Sequence, residues 1–186
     1  MGKIILTMQM SLDGIVSNED RWMSLSDEIL EDYYEYYDTL DTIVVGGNTY
    51  ASMAQYWQHA EKCSESALER SMAKRINDIP KIVISSTVKD LVWRNSRQIV
   101  VQDNRALVRE MEETKKNAGK ISVESGVKTW QSFIQAEIFD ELWLFVHPAI
   151  ASQGEKLFAY AEKPFSMTLS GSKKYENGVV GLLYRK

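Results

Sequence analysis

Hydrophobic and polar positions along the chain follow two rhythms, and the change between them marks the elements. Lys3 to Met10 is apolar and β-compatible, and Asp13-Gly14 breaks it. Ser24 to Leu40 has the helical period: Ile29, Leu30, Tyr33, Tyr36, Tyr37 and Leu40 recur at three and four. Glu28, Glu31, Asp32 and Glu35 fill the other face. Ser24 with Asp27 three residues on is a capping-box word. Thr42 to Val45 is a short β-branched strand ended by Gly46-Gly47, after which Asn48 or Thr49 caps a helix towards Trp57. Residues 58–65 are polar and read as loop. Glu65 to Asn77 is helical and stops before Pro80. Lys81 to Ser85 and Gln98 to Val101 are strands. Asn104 to Asn117 is a charged helix with Leu107, Val108 and Met111 as its apolar stripe and Gly119 as its C-cap. Ile121 to Val123 is a strand, Val127 to Gln135 a helix, and Glu141 to His147 a buried strand stopped by Pro148.

Strands alternating with helices imply a mainly parallel sheet covered on both faces. The end of the chain departs from that rule. Phe165 to Tyr175 and Val179 to Tyr184 flank Glu176-Asn177-Gly178, and Asn-Gly between two strand patterns signals an antiparallel hairpin. The fold class expected is α/β, with about eight strands between two helical layers. There is no repeat, linker or low-complexity tract, so residues 1–186 read as a single domain.

Bulk properties remove some functions. A net charge of −4 argues against a general nucleic-acid surface, which needs clustered Lys and Arg. It leaves room for a phosphorylated ligand, because backbone N–H groups bind phosphate without net positive charge. A single cysteine, Cys63, forbids an intrachain disulfide and fits a reducing compartment. No apolar run approaches the ~20 residues of a membrane span and no signal segment is visible, so the expected location is the cytoplasm. His59 and His147 are the only histidines, and no His/Cys/carboxylate cluster has metal-ligand spacing, so no metal site is expected.

In open α/β sheets ligands bind past the carboxyl ends of strands. Four such ends carry small or hydroxyl residues: Met10–Gly14, Gly46–Tyr50, Ser85–Thr87 and Glu124–Lys128. Each can place donors or a helix N-terminus near phosphate oxygens. Each also has a plainer reading. Gly46-Gly47 is equally a tight strand–helix turn with a Thr cap, and Ser85-Ser86-Thr87 can satisfy loop backbone. Asp13-Gly14 can be an ordinary turn.

The words Met10-Ser-Leu-Asp-Gly14, Phe139-Asp-Glu-Leu142, His147-Pro148 and Leu157-Phe158, in that order, resemble the dihydrofolate-reductase-like superfamily. The nearer branch is the C-terminal reductase domain of bacterial riboflavin biosynthesis, and the resemblance runs from Lys3 to Arg185. It implies a three-layer α/β/α fold whose mainly parallel mixed sheet ends in an antiparallel hairpin. It implies an NAD(P)H-dependent reductase that transfers hydride to a small heterocyclic (pterin- or pyrimidine-like) or carbonyl substrate. NADPH is the expected cofactor, with NADH possible. The residues it assigns to the cofactor are Gly46, Gly47, Asn48, Thr49, Tyr50, Ser85, Ser86, Thr87, Ser125, Gly126, Val127 and Lys128. It places Asp13 as the catalytic carboxylate, with Met10, Trp22 and Tyr33 towards the substrate. It also implies a homodimer, for which Trp143 and Phe145 are surplus aromatics.

Three positions depart from the branch pattern. Gly47 stands where an Arg commonly meets the 2′-phosphate of NADPH. Glu124 and Ser125 stand where small residues precede the pyrophosphate-facing helix, and a carboxylate beside a pyrophosphate is unfavourable. These departures motivate a rival expectation: a non-catalytic ligand-binding or scaffold protein that keeps the fold with a degenerate cofactor site.

Overall fold

The structure is a computed structural model that describes residues 2–159, 161 and 164–186. Its strands are β1 (Lys3–Ser11), β2 (Thr42–Gly46), β3 (Lys81–Ile84), β4 (Ser96–Ile99), β5 (Lys120–Val123), β6 (Glu141–His147), β7 (Thr168–Lys174) and β8 (Val180–Arg185). Its helices are α1 (Asp27–Asp38), α2 (Gly47–Cys63), α3 (Ala67–Asp78), α4 (Asn104–Asn117) and α5 (Val127–Gln135). The strands form one sheet in the order β4-β3-β2-β5-β1-β6-β8-β7. Pairings from β4 across to β6 are parallel, and β8 and β7 close the sheet antiparallel. The α/β class and the mixed sheet with its terminal hairpin are therefore as the pattern implied.

The period-2 alternation of each strand sorts its residues onto two faces. Ile4, Leu6, Met8, Val44, Ile82, Ile121, Val123, Leu142 and Leu144 pack with Leu107 and Met111 of α4 and with Trp130, Phe133 and Ile134 of α5. Ile43, Val45 and Val83 point the other way, under α1, α2 and α3. β2 and β5 are neighbours in the sheet, yet α2 leaves β2 towards one face and α5 leaves β5 towards the other. A crevice opens where two adjacent connections diverge like this, at the carboxyl ends of the strands.

Several boundaries differ from the pattern. The cap of α1 is Ser26, whose side chain accepts from Ile29 N, and not Ser24. Ser24 is engaged elsewhere: its N–H donates to His147 Nδ1 and its carbonyl accepts from Asn177. Residues 58–63, read as loop, continue α2 to Cys63. Their polarity is that of a helix face, and Ala60 is buried. β4 begins at Ser96 and ends at Ile99, two residues earlier than expected. The C-cap of α4 is Ala118. Gly119 instead donates its N–H to Asp41, tying the helix end to the start of β2. β7 starts at Thr168 and not Phe165. The hairpin turns through Glu176, Asn177 and Gly178, with only Gly178 left-handed (φ +83°). It is thus a three-residue turn closed by Gly178 N–H to Tyr175 O.

Candidate functional site

A cleft of 560 Å³ opens at the crevice between β2 and β5. Its floor and walls come from three strand ends: Gly46, Gly47, Asn48 and Thr49 after β2, Ser85, Ser86 and Thr87 after β3, and Ser125, Gly126, Val127 and Lys128 after β5. Eleven of the twelve residues proposed for a cofactor therefore converge, although up to 82 positions separate them in sequence (46 to 128). Tyr50 does not join them. It is the fourth residue of α2 and turns into the core, 1% exposed, where its hydroxyl accepts from Trp93 N–H at 2.8 Å. Val16, Ser17, Glu19 and Glu155 close the cleft on the side of the β1 and β6 exit loops.

Two of the five helices begin at this cleft, and these two have no side-chain cap. The N-caps of α2 and α5 are Gly46 and Gly126, whereas Ser26, Ser66 and Asp103 cap α1, α3 and α4 with hydrogen-bonding side chains. The expected capping of α2 by Asn48 or Thr49 does not occur. Thr49 lies inside the helix, and its hydroxyl donates back to Gly46 O at 3.2 Å. The first N–H groups of a helix have no intrahelical partner. Here those of two helices face one crevice, where the helix dipoles favour negative charge.

The glycines permit the crowding. A β-carbon at Gly47 would stand 2.7 Å from Ser85 Cβ, one at Gly126 2.8 Å from Thr49 Cγ2, and one at Gly46 2.8 Å from Ser125 Oγ. Ser125 Oγ accepts from Gly46 N–H at 2.7 Å and lies 3.3 Å from Thr49 Oγ1. Ser85 Oγ accepts from the N–H groups of Thr87 and Val88 and so shapes its own loop. Lys128 is the one cation among the described residues that line the cleft, and Glu19 and Glu155 are acidic residues in the same lining.

Glu124 does not meet the cleft. Alternation on β5 puts Ser122 and Glu124 on the face covered by α1. There Ser122 Oγ donates to Glu124 Oε1 at 2.5 Å and Tyr37 also hydrogen-bonds the carboxyl. Tyr36 hydroxyl donates to Ser122 Oγ at 2.8 Å, and Thr7 Oγ1 donates to the Tyr36 hydroxyl at 3.3 Å. Burial pushes the Glu124 carboxyl from the usual 4.5 up to about 7, against the lowering by its two hydroxyl partners. The expectation of a carboxylate beside a pyrophosphate is thus corrected: the side chain points to the opposite side of the sheet.

The remaining proposed residues lie away from the cleft lining. Asp13 clasps two loops, accepting from Ser11 Oγ (2.7 Å), Ala151 N (3.0 Å) and Ser152 N (2.8 Å). Those donors hold its carboxyl down at about 2. Met10 is partly buried against the α4/α5 core. Trp22 is buried, donates to Ser17 O at 2.9 Å and meets the His147 ring edge-on at 5.5 Å. Tyr33 stacks on Phe145 at 5.0 Å, and its hydroxyl accepts from Gln9 Nε2 at 2.9 Å. His147 Nδ1 accepts from Ser24 N–H, so Nε2 carries the hydrogen and donates to Gln9 Oε1 at 2.6 Å. Burial lowers the pKa of that ring, which keeps it neutral. Trp143 and Phe145 are not surplus: both pack with Tyr33 beneath α1.

Residues that the sequence reading missed include Val16, Ser17, Glu19, Thr129, Ser132, Phe133 and Glu155. Thr129 and Ser132 carried a readable signal, since helical spacing puts them on the Gly126 side of α5. Glu19 and Glu155 carried none, because irregular loops bring them in.

A family model of the RibD C-terminal domain matches residues 2–181. YyaP of Bacillus subtilis (strain 168), an uncharacterised protein, is 25% identical over 186 residues, covering 98% of this chain and 94% of YyaP. A protein assigned to riboflavin biosynthesis in Shewanella sp. PV-4 has a similar structure, with a TM-score of 0.73 at 16% identity over 98% of each chain. The riboflavin biosynthesis reductase Rib7 of Saccharomyces cerevisiae gives 0.57 at 16% identity, covering 99% of this chain and 89% of Rib7. At such identities the structural likeness speaks for the fold. The family model covers nearly every residue that builds the sheet and the cleft, and by it the chain belongs to the RibD C-terminal domain family.

Proposed function

We propose that this chain is an NAD(P)H-dependent reductase acting on a small heterocycle of pyrimidine or pterin type, within one domain over residues 1–186. The observation that carries this reading is the pair of helix starts without side-chain caps on one glycine-lined cleft, in a chain of this family. The donor set fits a dinucleotide. Gly46, Gly47 and Gly126 leave room for close backbone approach, and the N–H groups of α2 and α5 suit a pyrophosphate. Ser85, Ser86 and Thr87 offer hydroxyls to a ribose or phosphate at the far end of the cleft. A bound nicotinamide dinucleotide would supply the hydride, and the protein supplies binding, orientation and polarity.

Reduction also consumes a proton. Asp13, held at about 2 by three donors, carries none at neutral pH and acts in this reading as the loop clasp. Glu124, at about 7, holds a proton near neutrality, but its carboxyl lies on the α1 face of the sheet with Ser122 and Tyr37 and not in the cleft. The rival scaffold reading drew part of its support from a Glu124 carboxylate facing the pyrophosphate, and the geometry removes that part.

NADPH and NADH should bind with similar affinity. No Arg lines the described cleft, and Arg94 is committed to ion pairs with Glu61 and Asp78 at 2.8 and 2.7 Å. A charged hydrogen bond of the missing kind is worth about 1.5–3 kcal/mol. Calorimetric titration with each dinucleotide tests the proposal. Binding of both within about tenfold of each other is expected, and binding of neither would sink the reductase reading. We also place the protein in the cytoplasm, where an exposed Cys63 stays reduced. It works there as a homodimer joined across the apolar groove of Leu142, Leu144, Phe158, Phe165, Met167 and Tyr184. No described helix is long and apolar enough to cross a membrane.

A further inference from the structure

Asn177-Gly178 is the one Asn-Gly step in the chain. Such a step is chemically labile, because glycine has no β-carbon to shield its nitrogen from the neighbouring side-chain amide. The Gly178 nitrogen attacks Asn177 Cγ and loses its proton to water. An N–Cγ bond forms, the Cγ–Nδ2 bond breaks, and ammonia leaves. The resulting succinimide takes up one water, which opens the ring at either carbonyl. The product is aspartate or its β-linked isomer, so the net change is one water consumed and one ammonia released.

In the folded chain both reacting groups are held. Gly178 N–H donates to Tyr175 O at 3.0 Å, and Asn177 Nδ2 donates to Ser24 O at 2.8 Å. Ring closure breaks both bonds. A third contact works the other way: Val179 N–H donates to Asn177 Oδ1 and polarises the amide, but at a long 3.3 Å. Two bonds lost outweigh one long bond that helps. Tyr175 seats the turn from below, buried, with its hydroxyl donating to Asp32 at 2.7 Å. We infer that Asn177-Gly178 is a masked modification site: the docked hairpin holds the step unreactive, and opening of the turn lets Asn177 deamidate and then prevents redocking. Both residues are half-buried, so water reaches them as soon as the turn opens. Afterwards a carboxylate, which only accepts, faces the Ser24 carbonyl, which also only accepts. It adds negative charge to a turn that already donates to Glu28 through Glu176 N–H. Ser24 matters beyond the turn, since its own N–H holds His147 Nδ1 at the end of β6. The modification thus converts a reversible opening of the β7/β8 hairpin into a permanent one.

Peptide mass spectrometry tests the masking, by following aspartate and its β-linked isomer at position 177 during incubation at pH 8. Native wild type is compared with wild type in urea that unfolds it. The native chain should react about tenfold more slowly, which is about 1.4 kcal/mol for two exposed hydrogen bonds. An equal native rate overturns the masking. So does a faster one, with the Val179 N–H then acting as a catalyst. The block to redocking is read separately, by amide hydrogen exchange in the folded variant Asn177→Asp. The Ser24 N–H should exchange about tenfold faster there than in wild type, while amides of the β1/β6 pairing keep their protection. Wild-type exchange at Ser24 overturns the one-way opening. Equal loss of protection throughout the sheet also overturns it, since the effect would then be general instability.

Discussion

Replacing Glu124 by Gln should make the protein more stable at pH 8 and leave it little changed at pH 5. The carboxyl sits between β5 and α1, accepts from Ser122 Oγ and meets the Tyr37 hydroxyl, and burial raises it from 4.5 to about 7. The protonated form is therefore the one the fold prefers. Below about 4.5 the group is protonated in both folded and unfolded chains and costs nothing. Between 4.5 and 7 the unfolded chain gives up its proton while the folded chain keeps it, so rising pH favours unfolding. Above 7 both are ionised and the fold bears the full cost. At about 1.4 kcal/mol per pH unit the total is roughly 3 kcal/mol, an upper bound because the side chain is only partly buried.

Gln resembles the protonated carboxyl: its oxygen accepts from Ser122 and its NH₂ can donate to the Tyr37 oxygen. Urea unfolding of both proteins from pH 5 to 8 reads the difference. His147 and Asp13 titrate in both chains and cancel in that difference. The gap should open with pH and reach about 1–3 kcal/mol in favour of Glu124→Gln. Parallel curves across this range, or a wild type that is the more stable at pH 8, would refute the burial argument and return Glu124 to solvent.

Asp13→Asn should act on the acid side. The folded carboxyl lies at about 2 against the usual 3.8, so it stabilises the fold above 3.8, and this is lost as pH falls towards 2. The variant should be the less stable protein at pH 7, with a flatter decline below pH 4 in acid unfolding followed by circular dichroism. Gly47→Ala should lower both melting temperature and dinucleotide affinity, because its β-carbon would press on Ser85 Cβ at 2.7 Å. For the same reason Gly47→Arg alone should fail to create NADPH selectivity in a binding titration. Light scattering should give twice 21.3 kDa for the wild type, and Phe165→Glu, in the apolar groove, should return it to 21.3 kDa. A monomeric wild type at micromolar concentration would remove that groove as the interface.

The strands and helices were largely legible because two local rules decide them. Asn104–Asn117, Val127–Gln135 and Glu141–His147 follow from periodicity alone and match the observed elements end to end. The cleft was legible for a different reason. Parallel strands send all their carboxyl ends to one side, so residues at 46, 85 and 125 meet whatever their spacing. What failed was side-chain direction at single positions. Tyr50 follows the glycines by a helical turn and so rotates into the core, and Asp13 is captured by backbone donors at 151 and 152 that no local rule can place.

Glu124 failed for want of a comparison that the sequence allowed. Thr7 and Gln9 on β1, and Ser122 on β5 with Glu124 just past its end, are polar residues at alternate positions in stretches that are otherwise largely apolar. β1 and β5 are adjacent in the sheet, so the four polar side chains form one stripe on one face. A stripe of that kind must be satisfied by whatever covers it. The helix with surplus hydroxyls is α1, and Tyr33, Tyr36 and Tyr37 recur on it at three and four. The two surpluses answer each other: Tyr33 meets Gln9, Tyr36 meets Thr7 and Ser122, and Tyr37 meets Glu124. Tyr33, Tyr36 and Tyr37 thus serve α1 as hydrogen-bonding residues as well as apolar ones. The carboxyl that looked misplaced at a phosphate site belongs to that same buried polar layer.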